Sequence, residues 1–379
     1  MPSWMDDDLD QRRRAGLYRT RRRLQSGQGA TVRHRHADLV NFASNDYLTY
    51  AHDPRLARAA ARAAHRYGCG AGASPLVTGL LPPLRRLEID LAHWEGAEAA
   101  LVFPSGFQGN VAVLSSLAGA GDALFSDAAN HASLIDGCRL SRATTRVYRH
   151  NDLAHLDELL RADRNARRRF VVSDSVFSMD GDLADLAGLL GLAREHDATL
   201  LLDEAHATGV LGDRGRGLTD SLPPDDRLVK LGTLSKALGS QGGFVAGSRR
   251  VIDWLVNHAR PYIFSTALAP PMAAAARRAV ALVGQEPERR RHVLALAEGL
   301  RQRLKGIGSN VGPSACQIVP VIVGDAQATV DLSRRLEALG LLVPAIRPPS
   351  VPDGTSRLRI SLTAGHTEGD VERLVAALR

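Results

Sequence analysis

The sequence predicts an α/β fold with a large, doubly wound, mainly parallel sheet domain followed by a smaller α+β domain. From Ala99 onward, short apolar runs alternate with helical segments, which is the pattern of strands and covering helices in such a sheet. The runs end at polar or glycine-rich turns, as Leu200 to Leu202 does. After Pro270-Pro271 the pattern changes to two long helices and then a mixture of strands and helices. We therefore expect an N-terminal helical segment (1–38), a large domain (39–270) and a C-terminal domain with its linking helices (271–379).

The individual elements follow in chain order. Leucines at 9, 17 and 24 among many arginines predict an exposed helix over 9–24, and the apolar run 39–42 predicts a short strand. Apolar residues at helical spacing predict helices at 54–67 and 83–95, and the glycine-rich stretch 68–79 between them predicts a loop. In the large domain we expect strands at 101–103, 123–126, 145–148, 170–173, 199–203, 228–231 and 243–246, with helices at 106–117, 133–140, 153–162 and 185–196. In the C-terminal domain we expect helices at 272–284, 288–304, 329–339 and 367–378, with strands at 318–323, near 341–346 and at 357–362.

Composition restricts the class of protein. The 379 residues are 44% hydrophobic and 23% charged, as in soluble globular proteins. The formal charge of +7 favours anionic partners, but the arginine clusters are dispersed and lack interleaved aromatics, which argues against nucleic acid. The cysteines form neither a metal pattern nor a disulfide framework, so no metal is expected. The acidic N-terminus lacks the apolar core of a signal peptide and 99–121 is a poor membrane span, so we expect a cytosolic protein with no membrane partner.

Lysine is the first pointer to the chemistry, because the chain almost always uses arginine instead. Its lysines are Lys230, Lys236 and Lys305. Arginine cannot form a Schiff base, since its guanidinium stays protonated. Lys230 lies inside a predicted strand and Lys305 on a polar helix face, whereas Lys236 follows a strand in a flexible turn. Lys236 is therefore the amine that either reaches a pocket or is simply a surface residue of a loop.

Other polar side chains are predicted at the same carboxyl edge of the sheet, where ligands bind in open α/β folds. Asp203 and His206 follow one strand, and a carboxylate, an imidazole and a lysine together suit pyridoxal phosphate. His131 follows another strand and either lies on the cofactor ring or is structural, while Ser178 ends a further strand–turn segment. Residues 203–206 also spell the DEAH box of a helicase class, but the sequence lacks the phosphate loop that such enzymes require.

A phosphate site is predicted where a strand meets a helix at Ser105-Gly106-Phe107. Free backbone N–H groups and the helix dipole favour an anion at such a junction. The hydroxyl groups of Thr233 and Ser235, beside Lys236, are candidates for further donors to the same phosphate.

Taken together, the motifs resemble those of the α-oxoamine synthases, pyridoxal-phosphate enzymes of the aminotransferase-like fold type I. The resemblance covers essentially the whole chain and is carried by NFASNDYL (41–48), FPSGFQGN (103–110), DAANHASLIDG (127–137), VFSMDGD (176–182), DEAHATG (203–209) and GTLSKALG (232–239). The sequence departs from the family's usual pattern at GAGAS (70–74), at Pro75 and at Ala207, which blurs the acyl-chain specificity.

The resemblance implies a role for each candidate residue at the cofactor. Lys236 would form the imine, Asp203 would hold the ring nitrogen, His206 would bind the phenolic oxygen and His131 would stack on the ring. The remaining cofactor contacts would come from Gly106, Phe107, Ser178 and Thr233, with Thr266 reaching the phosphate of the neighbouring subunit in a homodimer.

The resemblance also implies the reaction. Arg359 would bind the carboxylate of the amino acid with Asn45 nearby, Ser350 would lie at the substrate site, and Arg19 would lie near the acyl substrate. The segment 345–364 favours the branch of the family that condenses L-alanine with pimeloyl-CoA or a pimeloyl-acyl-carrier protein, an acyltransferase step of biotin biosynthesis. A glycine-using relative, which makes aminoketobutyrate or aminolevulinate, is the alternative within the family. A nucleic-acid-binding protein is the alternative from a different class.

Overall fold

The structure, a computed structural model, describes residues 3–379. The chain divides into two compact units: the larger contains residues 50–177 and 183–290, and the smaller contains the residues up to 49, 178–182 and 291–379. The helices are α1 (Ser3–Arg14), α2 (Pro54–Tyr67), α3 (Pro82–Glu95), α4 (Gly106–Leu117), α5 (Ala132–Leu140), α6 (Leu153–Ala162), α7 (Leu186–Glu195), α8 (Arg249–His258), α9 (Arg260–Ile263), α10 (Pro270–Gln285), α11 (Pro287–Gly306), α12 (Ala326–Ala338) and α13 (Glu368–Leu378). The strands are β1 (Thr31–His34), β2 (Ala37–Asn41), β3 (Ala99–Phe103), β4 (Ala123–Asp127), β5 (Thr144–Tyr148), β6 (Arg169–Asp174), β7 (Ala198–Asp203), β8 (Leu228–Thr233), β9 (Gly243–Gly247), β10 (Ile318–Gly324), β11 (Leu341–Leu342), β12 (Ala345–Ile346) and β13 (Ser356–Ser361).

The larger unit is built on a sheet with strand order β3-β9-β8-β7-β6-β4-β5. Strand β9 is antiparallel to both of its neighbours, and the other pairs are parallel. Successive residues of β7 point to opposite faces, so Leu201 packs in one apolar cluster with α4, α5 and α8, whereas Leu200 and Leu202 pack in another with α6 and α7. Helices therefore cover both faces, and the predicted mainly parallel, doubly wound sheet is confirmed.

The smaller unit contains two three-stranded sheets, ordered β1-β2-β11 and β10-β13-β12. Strand β13 is antiparallel to both of its neighbours, and α12 packs against this sheet. All six residues of β13 are buried, including Arg357 and Arg359, so these arginines lie inside the unit and not on its surface.

The two compact units divide the chain differently from the predicted domains. Helix α10 packs against α2 and α3 and so belongs to the larger unit, which ends at 290 and not at 270. The N-terminal part is not a separate helical segment, because β2 pairs with β11 of the C-terminal part. Residues 178–182 also join the smaller unit, where Arg357 pairs with Asp180 and the Nε of Arg359 donates to the carbonyl oxygen of Ser178.

The N-terminal helix was also predicted in the wrong place. It spans Ser3–Arg14 and not 9–24. Its acidic residues precede its basic ones, which suits the helix dipole, and Gly16 then takes a φ of +68° beyond its end. The helices α8 and α9, a 3₁₀ turn at Leu218–Ser221 and the strand β1 are further elements that the sequence patterns did not indicate. Within the described residues, no helix combines the length and the apolar character needed to cross a membrane.

Candidate active site

A cradle for an anion lies at the N-terminus of α4, in the larger unit. Ser105 caps the helix, and its Oγ accepts the N–H of Gln108 at 3.2 Å. Gly109 N–H donates to the carbonyl oxygen of Ser105, so the N–H groups of Gly106 and Phe107 are left with no acceptor among the described residues. These are the two amides that the sequence predicts as phosphate donors. Free helix N-terminal amides together with the helix dipole suit a phosphate group.

Strands β8 and β9 complete this cradle. The Oγ1 of Thr233 lies 2.8 Å from the Oγ of Ser235, and a side chain added at Gly106 would meet that Oγ1 at 3.5 Å. Gly243 is packed so closely that a Cβ atom there would lie 2.5 Å from the Cα of Gly106. The predicted donors Gly106, Phe107, Thr233 and Ser235 are thus brought together, and the close backbone contact holds them in place.

Asp203 lies at the carboxyl end of β7 and is buried. Its Oδ1 accepts the N–H of Ala205 at 2.7 Å, and its Oδ2 accepts the side-chain N–H of Asn110 at 2.6 Å. Each oxygen of the carboxylate is therefore held by one donor and keeps lone pairs for a further one. Such an oriented carboxylate fits the role of partner to a protonated pyridine nitrogen.

His131 precedes α5 as its N-cap residue, and its Nδ1 lies 2.7 Å from the Oγ of Ser133. The residue is exposed in part, yet the surrounding atoms desolvate the ring enough to lower the pKa of His131. The negative charge of Asp203 opposes this effect, and the positive charge of Lys236 adds to it. His131, Asp203 and Lys236 therefore interact electrostatically, as the sequence predicts.

A second buried carboxylate belongs to the same cluster. Asp174 ends β6 directly beside Asp203 in the sheet, and its Oδ2 accepts the backbone N–H of His131 at 2.7 Å. Burial raises its pKa well above the usual range, and the charge of Asp203 raises it further, whereas the charge of Lys236 acts in the opposite direction. Asp174 thus fixes the backbone at His131.

The predicted lysine lies where the sequence places it, in the turn after β8, and is half-buried. The other lysines have different surroundings: Lys230 is buried, with its Nζ 2.6 Å from the Oε2 of Glu95, and Lys305 is exposed on α11. The turn is tightly packed, since a Cβ atom at Gly239 would lie 2.4 Å from the backbone nitrogen of Ala51. The backbone that carries Lys236 therefore lies in a closely packed turn.

His206 is buried three residues beyond the end of β7. The neighbouring Glu204 is fully buried and structural, because it accepts hydrogen bonds from the hydroxyl of Ser175 and from the N–H groups of Leu218 and Thr219. Of the acidic residues in the DEAH motif, only Asp203 is therefore oriented towards the lysine and imidazole cluster.

The smaller unit holds a buried guanidinium at Arg359, on β13. Its Nη1 donates to the Oδ1 of Asn45 at 3.1 Å and to the Oγ of Ser361 at 2.8 Å, while its Nε donates to the carbonyl oxygen of Ser178. Its Nη2 makes only a long contact of 3.4 Å with the hydroxyl of Tyr47. Burial raises the pKa of Tyr47 to about 12, so this hydroxyl stays neutral. The Nη2 group is thus the part of Arg359 that retains capacity for a ligand.

The remaining predicted site residues are more exposed. Ser350 is exposed, and its N–H donates to the carbonyl oxygen of Arg347 in a turn. Arg19 lies beyond the end of α1 and is exposed; burial lowers the pKa of Arg347, and the charge of Arg19 lowers it further. Thr266 is exposed in the larger unit, beside Ser265, whose Oγ lies 3.5 Å from the Nε2 of Gln108. Arg19, Asn45, Ser178, Ser350 and Arg359 belong to the smaller unit, whereas the lysine cluster and the phosphate cradle belong to the larger one.

Sequence reasoning missed Asn110, Ser133 and Asp174 as site residues. Asn110 and Ser133 lie within the motifs that carry the family resemblance, and Asp174 directly follows a predicted strand. Asn110 lies one helical turn beyond Gly106, so a phosphate cradle at the helix start places it beside the strand ends. This spacing is the signal that points to Asn110.

Exposed apolar residues cluster near the same end of the larger unit. Val77 and Phe264 are 73% and 69% exposed, and Leu76, Leu80 and Phe107 are also exposed. The turn Pro75–Gly79 contacts α9, and the N–H of Ala267 donates to the carbonyl oxygen of Ala73 at 3.0 Å. We call the five exposed residues the apolar patch.

Comparison with known proteins identifies the family of this chain. The family model described as aminotransferase class I and II matches residues 37–378. The 8-amino-7-oxononanoate synthase of Anaeromyxobacter dehalogenans is 48% identical over 99% of this chain and 94% of its own length. The 8-amino-7-oxononanoate synthase 2 of Bacillus subtilis is 44% identical over 98% of this chain and 96% of its own length.

Solved structures show the same fold. A serine palmitoyltransferase from Sphingomonas wittichii superimposes with a TM-score of 0.93 at 29% identity, over 99% of this chain and 95% of that one. An 8-amino-7-oxononanoate synthase from Francisella tularensis gives a TM-score of 0.79 at 26% identity, over 90% of this chain and 96% of that one. The resemblance inferred from the motifs and the predicted fold class are confirmed. The chain therefore belongs to the aminotransferase class I and II family, and within it to the group that holds the 8-amino-7-oxononanoate synthases.

Proposed function

We propose that this chain condenses L-alanine with a pimeloyl thioester, with loss of carbon dioxide and the free thiol carrier, to give 8-amino-7-oxononanoate for biotin biosynthesis. It is an acyltransferase that uses pyridoxal phosphate. The proposal rests on one structural observation: a lysine, a buried carboxylate and two free helix N-terminal amides lie together at the carboxyl edge of one sheet. The relatives that match nearly the whole chain at 44% to 48% identity support the same reaction.

The residues fit this cofactor group by group. When bound, pyridoxal phosphate supplies an aldehyde that reacts with amines and a ring that delocalises the electron pair left on the amino-acid α-carbon. In the proposed site Lys236 would bind the aldehyde carbon and would later take up the α-proton of alanine, Asp203 would pair with the ring nitrogen, and the amides at the start of α4 would bind the phosphate. His131 covers the ring, and His206 binds the phenolic oxygen.

Arg359 is proposed to bind the carboxylate of L-alanine. Arginine offers five N–H donors, and Nε and Nη1 are already committed within the smaller unit. The carboxylate would therefore bind through Nη2 and displace its long contact with Tyr47. Asn45 and Ser361 keep the guanidinium plane in place. We propose Ser178 as a further cofactor contact, and Ser350 and Arg19 as residues of the acyl-substrate site.

We further propose that the protein acts as a homodimer through the apolar patch, with Thr266 donating to the phosphate of the partner's cofactor. Soluble monomers rarely expose large contiguous apolar patches, and a patch of this kind marks an interaction surface. Cytosolic location stays a prediction from the sequence.

The first test is the role of Lys236. In Lys236→Ala we expect loss of the cofactor's visible absorbance and of turnover, because no other half-buried amine lies beside Asp203 and His131 among the described residues. After borohydride reduction of the holoenzyme, mass spectrometry should find the pyridoxyl group on the peptide with Lys236. Lys305→Ala, a change at an exposed lysine, is the matched control and should keep both. A pyridoxyl group on Lys305, or full turnover without Lys236, would contradict the assignment.

The second test is the substrate. Alanine, glycine and serine should be compared as amino donors, each with pimeloyl-CoA, a pimeloyl-acyl-carrier protein, acetyl-CoA and succinyl-CoA. We expect the highest kcat/KM for alanine with a pimeloyl thioester, and the carrier comparison decides between the two donors. A preference for glycine with acetyl-CoA or succinyl-CoA would replace the proposal with the alternative within the family.

Arg359→Lys should raise the KM for alanine more than it lowers kcat, because lysine keeps the charge and loses the planar fork.

A further inference from the structure

Asn110 is the residue through which Asp203 and His131 are connected. It lies on α4 and is only 4% exposed. Its Nδ2 donates to the Oδ2 of Asp203 at 2.6 Å and to the Oγ of Ser133 at 2.8 Å. The Oγ of Ser133 is in turn 2.7 Å from the Nδ1 of His131. One side-chain amide thus joins the carboxylate to the imidazole through a single serine.

In this series of linked side chains, the donor and the acceptor of each hydrogen bond follow from the number of hydrogens that each group carries. An amide nitrogen carries two N–H hydrogens, and both are used here. Turning the amide round would place its oxygen against a carboxylate oxygen, which is repulsive, so the nitrogen must face Asp203. Ser133 therefore accepts from Asn110, and its one hydroxyl hydrogen is left for the Nδ1 of His131.

A second donor reaches the same nitrogen. The backbone N–H of Ser133 donates to the Nδ1 of His131 at 3.2 Å, as part of the helix cap. Because Nδ1 receives two donors, it carries no hydrogen of its own, and the neutral ring must carry its hydrogen on Nε2.

We propose that Asn110 is a positioning residue that sets the donor–acceptor pattern of the site: it holds Asp203 as an acceptor and, through Ser133, fixes His131 as the tautomer protonated on Nε2. The inference rests on the proposed function only for the roles of Asp203 and His131 at the cofactor. The hydrogen-bond pattern itself is a property of the protein.

The charged groups around His131 come from four elements. Asp203 is the last residue of β7, Lys236 lies in the turn after β8, and Asp136 lies on α5. Asp174, at the end of β6, accepts the backbone N–H of His131. Partial burial has the largest influence and lowers the pKa of His131. The hydroxyl of Ser133 acts in the same direction, because a donor to Nδ1 stabilises the neutral ring.

Asn110→Asp tests the inference, because it keeps the shape of the side chain and replaces the donor by an acceptor. The carboxylate at 110 would draw the hydroxyl hydrogen of Ser133 away from His131 and would repel Asp203. We expect the pKa of His131 to rise, its hydrogen to move towards Nδ1, and the dissociation constant for pyridoxal phosphate to increase at least tenfold. Asn257→Asp, the same change on the exposed face of α8, is the control and should leave all three unchanged.

The measurement is ¹⁵N NMR of the histidine rings as a function of pH, on the holoenzyme and on the cofactor-free protein. The signals of His131 are assigned by their loss in His131→Asn. The wild-type protein should show an unprotonated Nδ1 and a protonated Nε2. Ser133→Ala is a second variant, which removes one donor without adding charge, and it should also raise the pKa of His131.

Two results would overturn the inference: a protonated Nδ1 in the wild-type protein, or unchanged His131 signals in both Asn110→Asp and Ser133→Ala. Failure of the proposed function would look different. In that case the tautomer would be as expected while the protein failed to turn over alanine with any pimeloyl thioester.

Discussion

Asp174 and Asp203 end neighbouring parallel strands and are both buried. Two carboxylates this close in a poorly solvated place cannot both be negative at low free-energy cost. Asp203 is held by two N–H donors, and the side chain of Asp174 accepts one from His131. The pKa of Asp174 is the one raised well above its usual range. The two carboxylates are therefore divided in role: burial and the charge of Asp203 favour the protonated form of Asp174.

This division predicts the pH dependence of stability. Because the pKa of Asp174 is higher in the folded state than in the unfolded state, the folded protein binds more protons between the two values. The contribution of Asp174 to the free energy of unfolding is therefore fully present below its ordinary pKa of 3.8 and is lost as the pH rises towards the raised value. Asp174→Asn keeps an oxygen for the His131 N–H and removes the titration.

Urea unfolding at a series of pH values measures this effect. The free energy of unfolding of the wild-type protein, minus that of Asp174→Asn, should fall as the pH rises above 3.8. Asp226→Asn, the same change at an exposed loop position, is the control for the loss of a carboxylate. A wild-type advantage that grows with pH would mean that Asp174 is stabilised as a carboxylate instead.

At the scale of elements, the geometry of the proposed phosphate cradle depends on glycine in an antiparallel strand. Strand β9 lies between β3 and β8, and Gly243 pairs with Phe103 on one side and with Thr233 on the other. A Cβ atom at 243 would lie 2.7 Å from the backbone nitrogen of Gly106, which is one of the free donors. Since the neighbouring atom belongs to the backbone, the start of α4 would have to move.

We therefore expect Gly243→Ala to weaken binding of pyridoxal phosphate by at least tenfold while the protein remains folded. Gly191→Ala is the control, because that position on α7 has no atom within 4 Å of the added Cβ, and the change should leave cofactor binding unchanged. Equilibrium dialysis gives the dissociation constants, and circular dichroism reports the fold. Equal affinity in Gly243→Ala and the wild-type protein would show that the cradle does not bind the phosphate.

The sequence predicts an element most accurately where residues adjacent in the sequence determine its ends. The helix over Pro54–Tyr67 was predicted to the residue, because Asp53 caps its start and Gly68 follows its end. The helix Leu153–Ala162, capped by Asp152, was also predicted to the residue. The grouping of 178–182 with β13 was not predictable, since it depends on contacts of Arg357 and Arg359 with residues about 180 positions away in the chain. The link through Asn110 escaped prediction for the same reason, because its partner Asp203 is 93 positions away.

At the scale of the whole molecule, the apolar patch is a surface whose apolar side chains stay exposed in a single copy of the chain. Its members come from the segment that follows α2 and from the ends of α4 and α9, all in the larger unit. A symmetric dimer would cover the same patch on both copies. The exposed Thr266 lies two residues beyond Phe264, so pairing of the patches is the arrangement that we propose for bringing Thr266 to the partner.

Val77→Arg should therefore yield monomers and lower both turnover and cofactor affinity, because a charge in the middle of an apolar contact opposes association. Leu339→Arg introduces the same residue at an exposed leucine outside the patch, in the smaller unit, and should behave like the wild-type protein. Light scattering coupled to size-exclusion chromatography measures the mass in solution. A wild-type protein that runs as a fully active monomer would rule out the proposed dimer.

The scarcity of lysine has a practical consequence for covalent chemistry on this protein. Lys230 is closed off by its contact with Glu95, so the accessible side-chain amines among the described residues are Lys236 and Lys305. If Lys236 binds the cofactor as proposed, an active ester added to the holoenzyme would meet Lys305 as the accessible lysine among the described residues. A fluorophore or surface tether could thus be attached at Lys305 without mutagenesis, and the emptying of the cofactor pocket could be followed as the appearance of one new reactive amine.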